Sequence, residues 1–514
     1  MSMKKTLSLL LVLLLLLSAG ASLADDNYSM KDDGFSTSYT YNYDYWSDVM
    51  ASPDAYRVSM VVDSMTIGLE NLDGKRLNQP QSMFARGKDL YIVDSGNNRI
   101  VQLHYDGKSF RAVRLISEMA GIEKNTFASP SDVFVDPEGN IYVADYGNMR
   151  VVMMDKDLNY LKEFTKPADS TFDQSLDFLP SKIAVDVAGR VYVLVTNVNK
   201  GFAKYESDTS FSGFIGANAV TVSLAEYIWK RYFMTKEQRA ASESFVPTEY
   251  ENLYMDEEGF IYATNTVFSE YDLKWDNAKP IRRLNSLGND ILIKNDRYPP
   301  IGDQFWIEEN VQNGPSKFTD ITAMENDIYV AIDRTRGRLF GYDSQGVMLW
   351  AFGTKGNVAG AFTRAVSLDH IGRDLLVLDQ VENSVTVFTP TEYGTKIYEA
   401  IDTYSQGDYD RSADLWRDVM KLNANYPLAF RGIARAILRQ DDFEGAMKYY
   451  KMAHDREGYG RVFKLYRKQW IEKNIWWVFL VLAVVLIVPL AIGRVKRTKW
   501  EVVAHEQSKV KRVG

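Results

Sequence analysis

The sequence predicts a mainly β fold: a six-bladed β-propeller, then a small helical part and one membrane-spanning helix. Three observations carry this. Residues 127–164 read as one complete unit of four short strands and three tight turns. The second strand of that unit and the turn after it recur along the chain, six copies in all. Past residue 393 the pattern changes from strand alternation to helical spacing and ends in an uncharged apolar run at 475–493.

Within the unit, 133–135, 141–144, 151–154 and 160–164 are β-branched or aromatic runs separated by turn residues. Pro137 fixes φ, while Gly139, Gly147 and Asn148 tolerate a left-handed backbone. A four-stranded meander of this length cannot bury both faces alone, so it needs neighbours of its own kind. The copies supply them. Leu90 to Asp94 runs on to Asn97 and Arg99, Ile141 to Asp145 to Asn148 and Arg150, Tyr329 to Asp333 to Arg338, and Leu375 to Asp379 to Asn383. Worn copies begin at Val191 and Ile261. A period of roughly 40–50 residues with four strands per unit is the signature of a propeller.

The Asp-x-x-Asn-x-Arg-Ile form at Asp94, Asn97, Arg99 and Ile100 resembles the NHL repeat, over about residues 56–390 and most sharply in the first two blades. These motif residues read as structural: Asp94 and Asp145 cap the turn, Asn97 and Asn148 suit its left-handed position, and Arg99 and Arg150 bridge to a neighbouring blade. Asp333, Arg338, Asp379 and Asn383 take the same places in later blades. The strand beginning at Tyr56 has no blade of its own. It is expected to complete blade six and so close the ring.

In chain order, residues 1–24 read as a secretory signal peptide: Lys4 and Lys5, an apolar run and a small-residue exit ending at Ala24. Residues 25–55 are rich in Tyr, Asp and Ser and are expected to lie extended on the propeller, which spans 56–390. Two insertions interrupt it, at 218–245 and 294–317. The first has helical spacing that includes Trp229 and Tyr232, followed by a capping box from Thr235 to Gln238. The second carries Tyr298 and Trp306. Long propeller insertions sit on one rim, where function tends to be carried, so these four aromatics are the candidate ligand-binding residues.

In residues 393–460, Tyr409 and Phe443, and Trp416 and Tyr450, repeat at a 34-residue step. This resembles the tetratricopeptide repeat. Ala446 and Ala453 fit its small-residue positions, whereas Ser412 and Val419 depart from them. A basic helix at 461–474 leads into the transmembrane helix at 475–493, with Trp476 and Trp477 as interfacial anchors. The tail, 494–514, has seven basic and two acidic residues. With the signal peptide this predicts a cell-membrane protein whose N-terminal ectodomain is outside and whose tail is cytoplasmic.

Zero cysteines exclude disulfides, thiolate zinc sites and thiol nucleophiles, and four histidines leave little metal or triad chemistry. His104 falls on a third strand and His370 in a turn, neither with a His partner. The net charge of −8 is more acidic still once the basic C-terminal segments are set aside, which argues against nucleic acid as a partner. No phosphate loop or hydrolase motif is present, so no catalytic residue and no cofactor is assigned. A gluconolactonase-like Ca²⁺ site built from carboxylates and Asn stays open. The whole resembles membrane-bound NHL-repeat proteins of Gram-positive bacteria. That resemblance implies a binding or scaffold protein that engages a glycan or a partner protein, linked to solute, including carbohydrate, transport. An anchored extracellular metal-dependent lactonase or lyase acting at the propeller channel, and an assembly factor docking membrane-protein complexes, are the alternatives.

Overall fold

The computed structural model describes residues 40–44, 49–216, 250–274, 278–294, 299–303 and 314–510. Antiparallel meanders follow one another around a ring, each a blade whose first strand is innermost. Blade one comprises Ser82–Arg86, Asp89–Asp94, Arg99–Tyr105 and Phe110–Ile116. Blade two comprises Asp132–Val135, Ile141–Asp145, Arg150–Met154 and Tyr160–Phe164. Blade three comprises Pro180–Val185, Val191–Val195, Phe202–Tyr205 and Phe211–Ile215.

Blade four departs from the expected four strands. It has Tyr250–Met255, Ile261–Asn265 and Ile281–Leu284, and the outer place is taken by an irregular segment in which Ile291 N–H donates to Arg283 O at 2.7 Å. Gly288 explains the irregularity: its φ is +81° and a Cβ there would lie 2.6 Å from Gly216 N, so the chain turns tightly against blade three instead of running straight.

Blade five, Phe318–Met324, Ile328–Asp333, Arg338–Tyr342 and Met348–Phe352, is extended outward by two further strands, Thr40–Tyr43 and Val49–Ser52. The end of the Tyr-rich leader therefore supplies a fifth and a sixth strand, Tyr41 pairing with Ala351. Blade six, Ala365–Ile371, Asp374–Asp379 and Ser384–Pro390, takes Tyr56–Val62 as its fourth strand, in register from Val62 opposite Val385 to Tyr56 opposite Pro390. The ring closes as the sequence suggests, with residues from both ends of the propeller in one sheet.

Why the inner strands sit as they do follows from their alternation. Met83, Val133, Ile183, Leu253, Ile321 and Leu368 hold equivalent places and point into the packing between blades. Their neighbours on either side face the channel, because side chains alternate across a strand.

Five helices follow: α1 Glu392–Ser405, α2 Tyr409–Leu422, α3 Pro427–Leu438, α4 Phe443–Met452 and α5 Arg456–Val510. Each start has a local cause. Thr391 Oγ1 accepts from Gly394 N–H, Asp408 from Arg411 N–H and Asp442 from Gly445 N–H, while Pro427 stands at the first turn of α3. Consecutive helices pack on one another, and Gly432 of α3 lets the Trp416 ring of α2 come within 2.4 Å of where a Cβ would stand. Ser412 is fully buried and its hydroxyl donates to Ala400 O at 2.8 Å, so a small residue does occupy that crossing.

The helices share a core with the propeller. Tyr56 stacks on Phe352 and lies edge-on to Trp350, its hydroxyl is 2.7 Å from that of Tyr398 on α1, and Tyr426 at the start of α3 donates to Leu349 O at 2.7 Å. The last helix is different: from Phe463 onward its apolar side chains are exposed, and one stretch is long and apolar enough to cross a membrane.

Candidate functional site

Two constellations come out of this architecture. The first is the repeat motif. In blade one, Asp94 Oδ1 accepts from Asn78 N–H at 2.7 Å, and Oδ2 accepts from Asn97 Nδ2 at 2.8 Å and Arg99 Nε at 2.6 Å. Blade two repeats this: Asp145 accepts from Ala128 N–H at 2.8 Å, Asn148 Nδ2 at 2.7 Å and Arg150 Nε at 3.0 Å. Both carboxylates and both guanidiniums are buried. Asp379 in blade six accepts from the N–H groups of Thr363, Arg364, Val381 and Glu382. In blade five Asp333 accepts from Lys317 N–H at 2.8 Å, but Arg338 reaches Asp303 at 2.7 Å, and Asp303 also holds the Tyr41 and Tyr43 hydroxyls of the leader.

Two sequence expectations need correction. Positive φ falls on Asn98 and Met149, at 55° and 57°, and not on Asn97 and Asn148. Asn97 and Asn148 are held right-handed by their side-chain bond back to the Asp three residues earlier. Gly147 is required for space, not for φ: a Cβ there would lie 2.8 Å from Ala128 O. Nor do Arg99 and Arg150 bridge blades. Arg99 ties down the lead-in to its own blade through Asp73 and Lys75 O, and Arg150 does so through Lys124 O while pairing with Glu163. The bridges are made by Asn98, which accepts from Ser129 N–H at 2.7 Å, and by Asn383, which accepts from Gln79 N–H at 2.8 Å.

The second constellation lines the channel and was missed in the sequence. One equivalent place on each inner strand holds Ser82, Asp132, Lys182, Asn252, Asp320 and Ser367, a complete polar ring. The signal that finds them is positional: each lies 12 or 13 residues before the motif position at 94, 145, 195, 265, 333 or 379. Lys182 Nζ donates to Ser82 Oγ at 2.9 Å and lies 3.8 Å from Asp132, and Ser82 donates to Asp132 at 2.6 Å. Asp132 also accepts from Ile183 N–H at 2.8 Å. Across the ring Asp320 accepts from Asn252 Nδ2 and, at 2.7 Å each, from Ile321 and Leu368 N–H. Ser367 accepts from Met83 N–H at 3.2 Å. Three of these bonds run from a ring side chain to the next blade's backbone, so the ring sews blades together.

Burial pushes the Asp320 carboxyl up to about 6, opposed by Lys182 and by hydrogen bonds from Leu368 N–H, Ile321 N–H and Ser367. Asp132 is raised for the same reason, again opposed by Lys182. One step further along the channel Asp369 accepts from Ala85 N–H at 2.7 Å and from Thr322, whose hydroxyl is 2.8 Å from His370 Nδ1. His370 therefore lies on the inner strand Ala365–Ile371 and not in a turn, which comes at Gly372. His104 is on the third strand of blade one, 2.7 Å from Asp89. A pocket between these inner strands, lined among others by Ser82, Asp132, Lys182, Asn252, Asp320 and Asp369, has about 30 Å³ of free volume.

Among the described residues one acidic cluster has metal-ligand spacing: Asp256, Glu258 and Asp327. Its centre is taken by Arg283, whose Nη2 lies 3.0, 3.1 and 2.7 Å from the three carboxylates. The candidate aromatics Trp229, Tyr232, Tyr298 and Trp306 lie outside the described residues, as do residues 1–39. Both insertions nonetheless leave from connections between an outer strand and the next inner strand, and so from the same face as the start of the polar ring.

The NHL repeat family model matches residues 127–152, the centre of blade two. No curated protein sequence matches the chain significantly. Among solved structures, the chain is similar to a catalytically inactive virginiamycin B lyase from Staphylococcus aureus with quinupristin, at 9% identity and TM-score 0.36, over 68% of this chain and 95% of that one. It is also similar to a protein of unknown function from Bacteroides thetaiotaomicron, at 10% identity and TM-score 0.38, over 69% and 76%. A protein described as a putative gluconolactonase matches at 10% and 0.34, over 59% and 85%. Likenesses this remote say nothing of activity. The repeat model, the four-stranded units and their closure into a ring agree with one another: the chain is an NHL-repeat β-propeller of six blades, followed by helices of which the last is a candidate membrane span.

Proposed function

We infer that this is a single-pass cell-surface binding or scaffold protein whose ectodomain engages its ligand on the propeller rim. The observation that carries the reading is the state of the channel. Among the described residues its polar side chains bond one another and neighbouring backbone, and the pocket between them, about 30 Å³, is far below the 300–1,000 Å³ of an ordinary ligand pocket. In this reading recognition takes place on the rim from which the two insertions leave, with Trp306, Tyr298, Trp229 and Tyr232 as its candidate contacts. Aromatic faces there suit a glycan or a partner protein.

In this reading residues 1–24 are the signal peptide, 475–493 span the membrane and 494–514 are cytoplasmic. The helices of 393–460, read as tetratricopeptide-like, dock a second membrane component, which links the protein to a solute or carbohydrate transport system. Joint replacement of Trp306 and Tyr298 by alanine in the full chain is expected to weaken retention on a glycan array or by co-purifying protein at least tenfold. Unchanged retention sinks the rim assignment. The second reading is an anchored Ca²⁺-dependent lactonase or lyase acting at the propeller channel; the acidic cluster of Asp256, Glu258 and Asp327 holds the Arg283 guanidinium between its carboxylates, where a metal ion would have to stand. A fall in melting temperature on chelation would favour that enzyme.

A further inference from the structure

We propose that the helix just past the apolar span is a collar for the phosphate groups of anionic lipids. α5 runs without a break from the apolar stretch into the tail, so the side chains that follow the span are held at fixed heights. At 1.5 Å per residue the run 475–493 is about 28 Å long, close to the thickness of a hydrocarbon core. Arg494 therefore stands where that core ends. Arg494, Lys496, Arg497 and Lys499 are four bases within six residues, with no carboxylate among them. From Arg494 to Lys499 the helix rises about 7.5 Å, the depth of one headgroup layer. All four side chains are exposed. Arg497 pairs with Glu501 at 3.4 Å, while Arg494, Lys496 and Lys499 have no ion-pair partner among the described residues. The other flank is different: the seven residues before the span carry only Lys468 and Lys473, and Lys468 pairs with Glu472 at 3.8 Å. Uncompensated charge is thus densest on the tail side, at the very edge of the core.

The direction of this charge decides its occupant. At 3.6 residues per turn, Arg494, Lys496, Arg497 and Lys499 point about 0°, 200°, 300° and 140° around the axis. A partner protein docks on one side of a helix and leaves the far side of such a ring unmatched. Lipid headgroups surround a single span on every side at this depth, so they meet all four. A zwitterionic lipid brings a phosphate balanced by its own ammonium group, whereas an anionic lipid brings a phosphate charge free to pair. Basic residues directly past a span attract anionic lipids for this reason. The two arginines add geometry to charge, because a guanidinium can give two parallel hydrogen bonds to one phosphate.

The inference rests on the membrane-anchored reading, and one experiment separates the two. The full chain is incorporated into phosphatidylcholine vesicles that carry a trace of spin-labelled phosphatidylglycerol or of spin-labelled phosphatidylcholine. The fraction of label immobilised at the protein is then read for each. Phosphatidylglycerol is expected to be favoured roughly threefold or more, and the preference should fall at about 1 M salt, where the Debye length is about 3 Å. Joint replacement Arg494→Gln, Lys496→Gln and Lys499→Gln is expected to bring the ratio close to one. Arg461→Gln with Lys464→Gln, in the stalk and well short of the span, should keep it. No preference in the wild type, a preference undiminished by the tail replacements, or an equal loss in the stalk variant overturns the collar while the anchor stands. A protein that stays outside the vesicles defeats the anchored reading and the collar with it.

Discussion

At the scale of single residues, the motif carboxylates are mechanical parts. Asp145 satisfies a lead-in N–H, the Asn148 amide and the Arg150 guanidinium at once, all buried. Asp145→Ala therefore leaves a buried cation short of its main acceptor, and a loss of about 3–5 kcal/mol is expected in the denaturant midpoint, as for other broken buried pairs. Ligand binding by the folded fraction should not change. Asp320 makes a different prediction. Its folded pKa, about 6, lies above the ordinary carboxyl value of 3.8, so its protonated form favours the fold. That contribution is fully present below pH 4 and is lost as pH rises through 6. One pKa unit is 1.36 kcal/mol, so the loss is about 3 kcal/mol. Wild type minus Asp320→Asn stability, measured from pH 4 to 7, should fall by about that amount; a flat difference would show that Asp320 titrates normally.

At the scale of elements, the parts with strong local chemistry were legible and those set by packing were not. The unit at 127–164 announces itself because each strand is short and each turn has its own residue requirements. The closing strand Tyr56–Val62 was legible as a strand without a blade. The left-handed residue was misplaced by one because an Asn side chain that bonds backward to Asp stays right-handed, and this competition is decided by geometry, not propensity. The channel ring was missed for a related reason: Ser, Asp, Lys, Asn, Asp and Ser share a position relative to the repeat motif but not a chemistry, so only their spacing links them. Two tests belong here. Gly432→Leu must displace the Trp416 ring from α3, and a loss of about 1–3 kcal/mol is expected from overpacking. If stability is unchanged, the two helices do not cross as closely as described. A chain beginning at residue 64 bares the edge of Ser384–Pro390 and is expected to aggregate instead of refolding, since the clasp of the ring is gone. A soluble monomer would contradict that role.

At the scale of the whole molecule, propeller and helices act as one body because Tyr56, Trp350, Tyr398 and Tyr426 lie in a single core. The central claim is that recognition happens on the rim while the channel is structural. The most direct measurement compares retention of ligand by the full chain in three forms: wild type, Trp306→Ala with Tyr298→Ala, and Ser82→Ala, which removes a ring hydroxyl that bonds Asp132 and Lys182. The account predicts that the rim variant loses retention at least tenfold and that Ser82→Ala keeps it. Loss in Ser82→Ala at unchanged melting temperature, with the rim variant intact, would contradict it and move function into the channel.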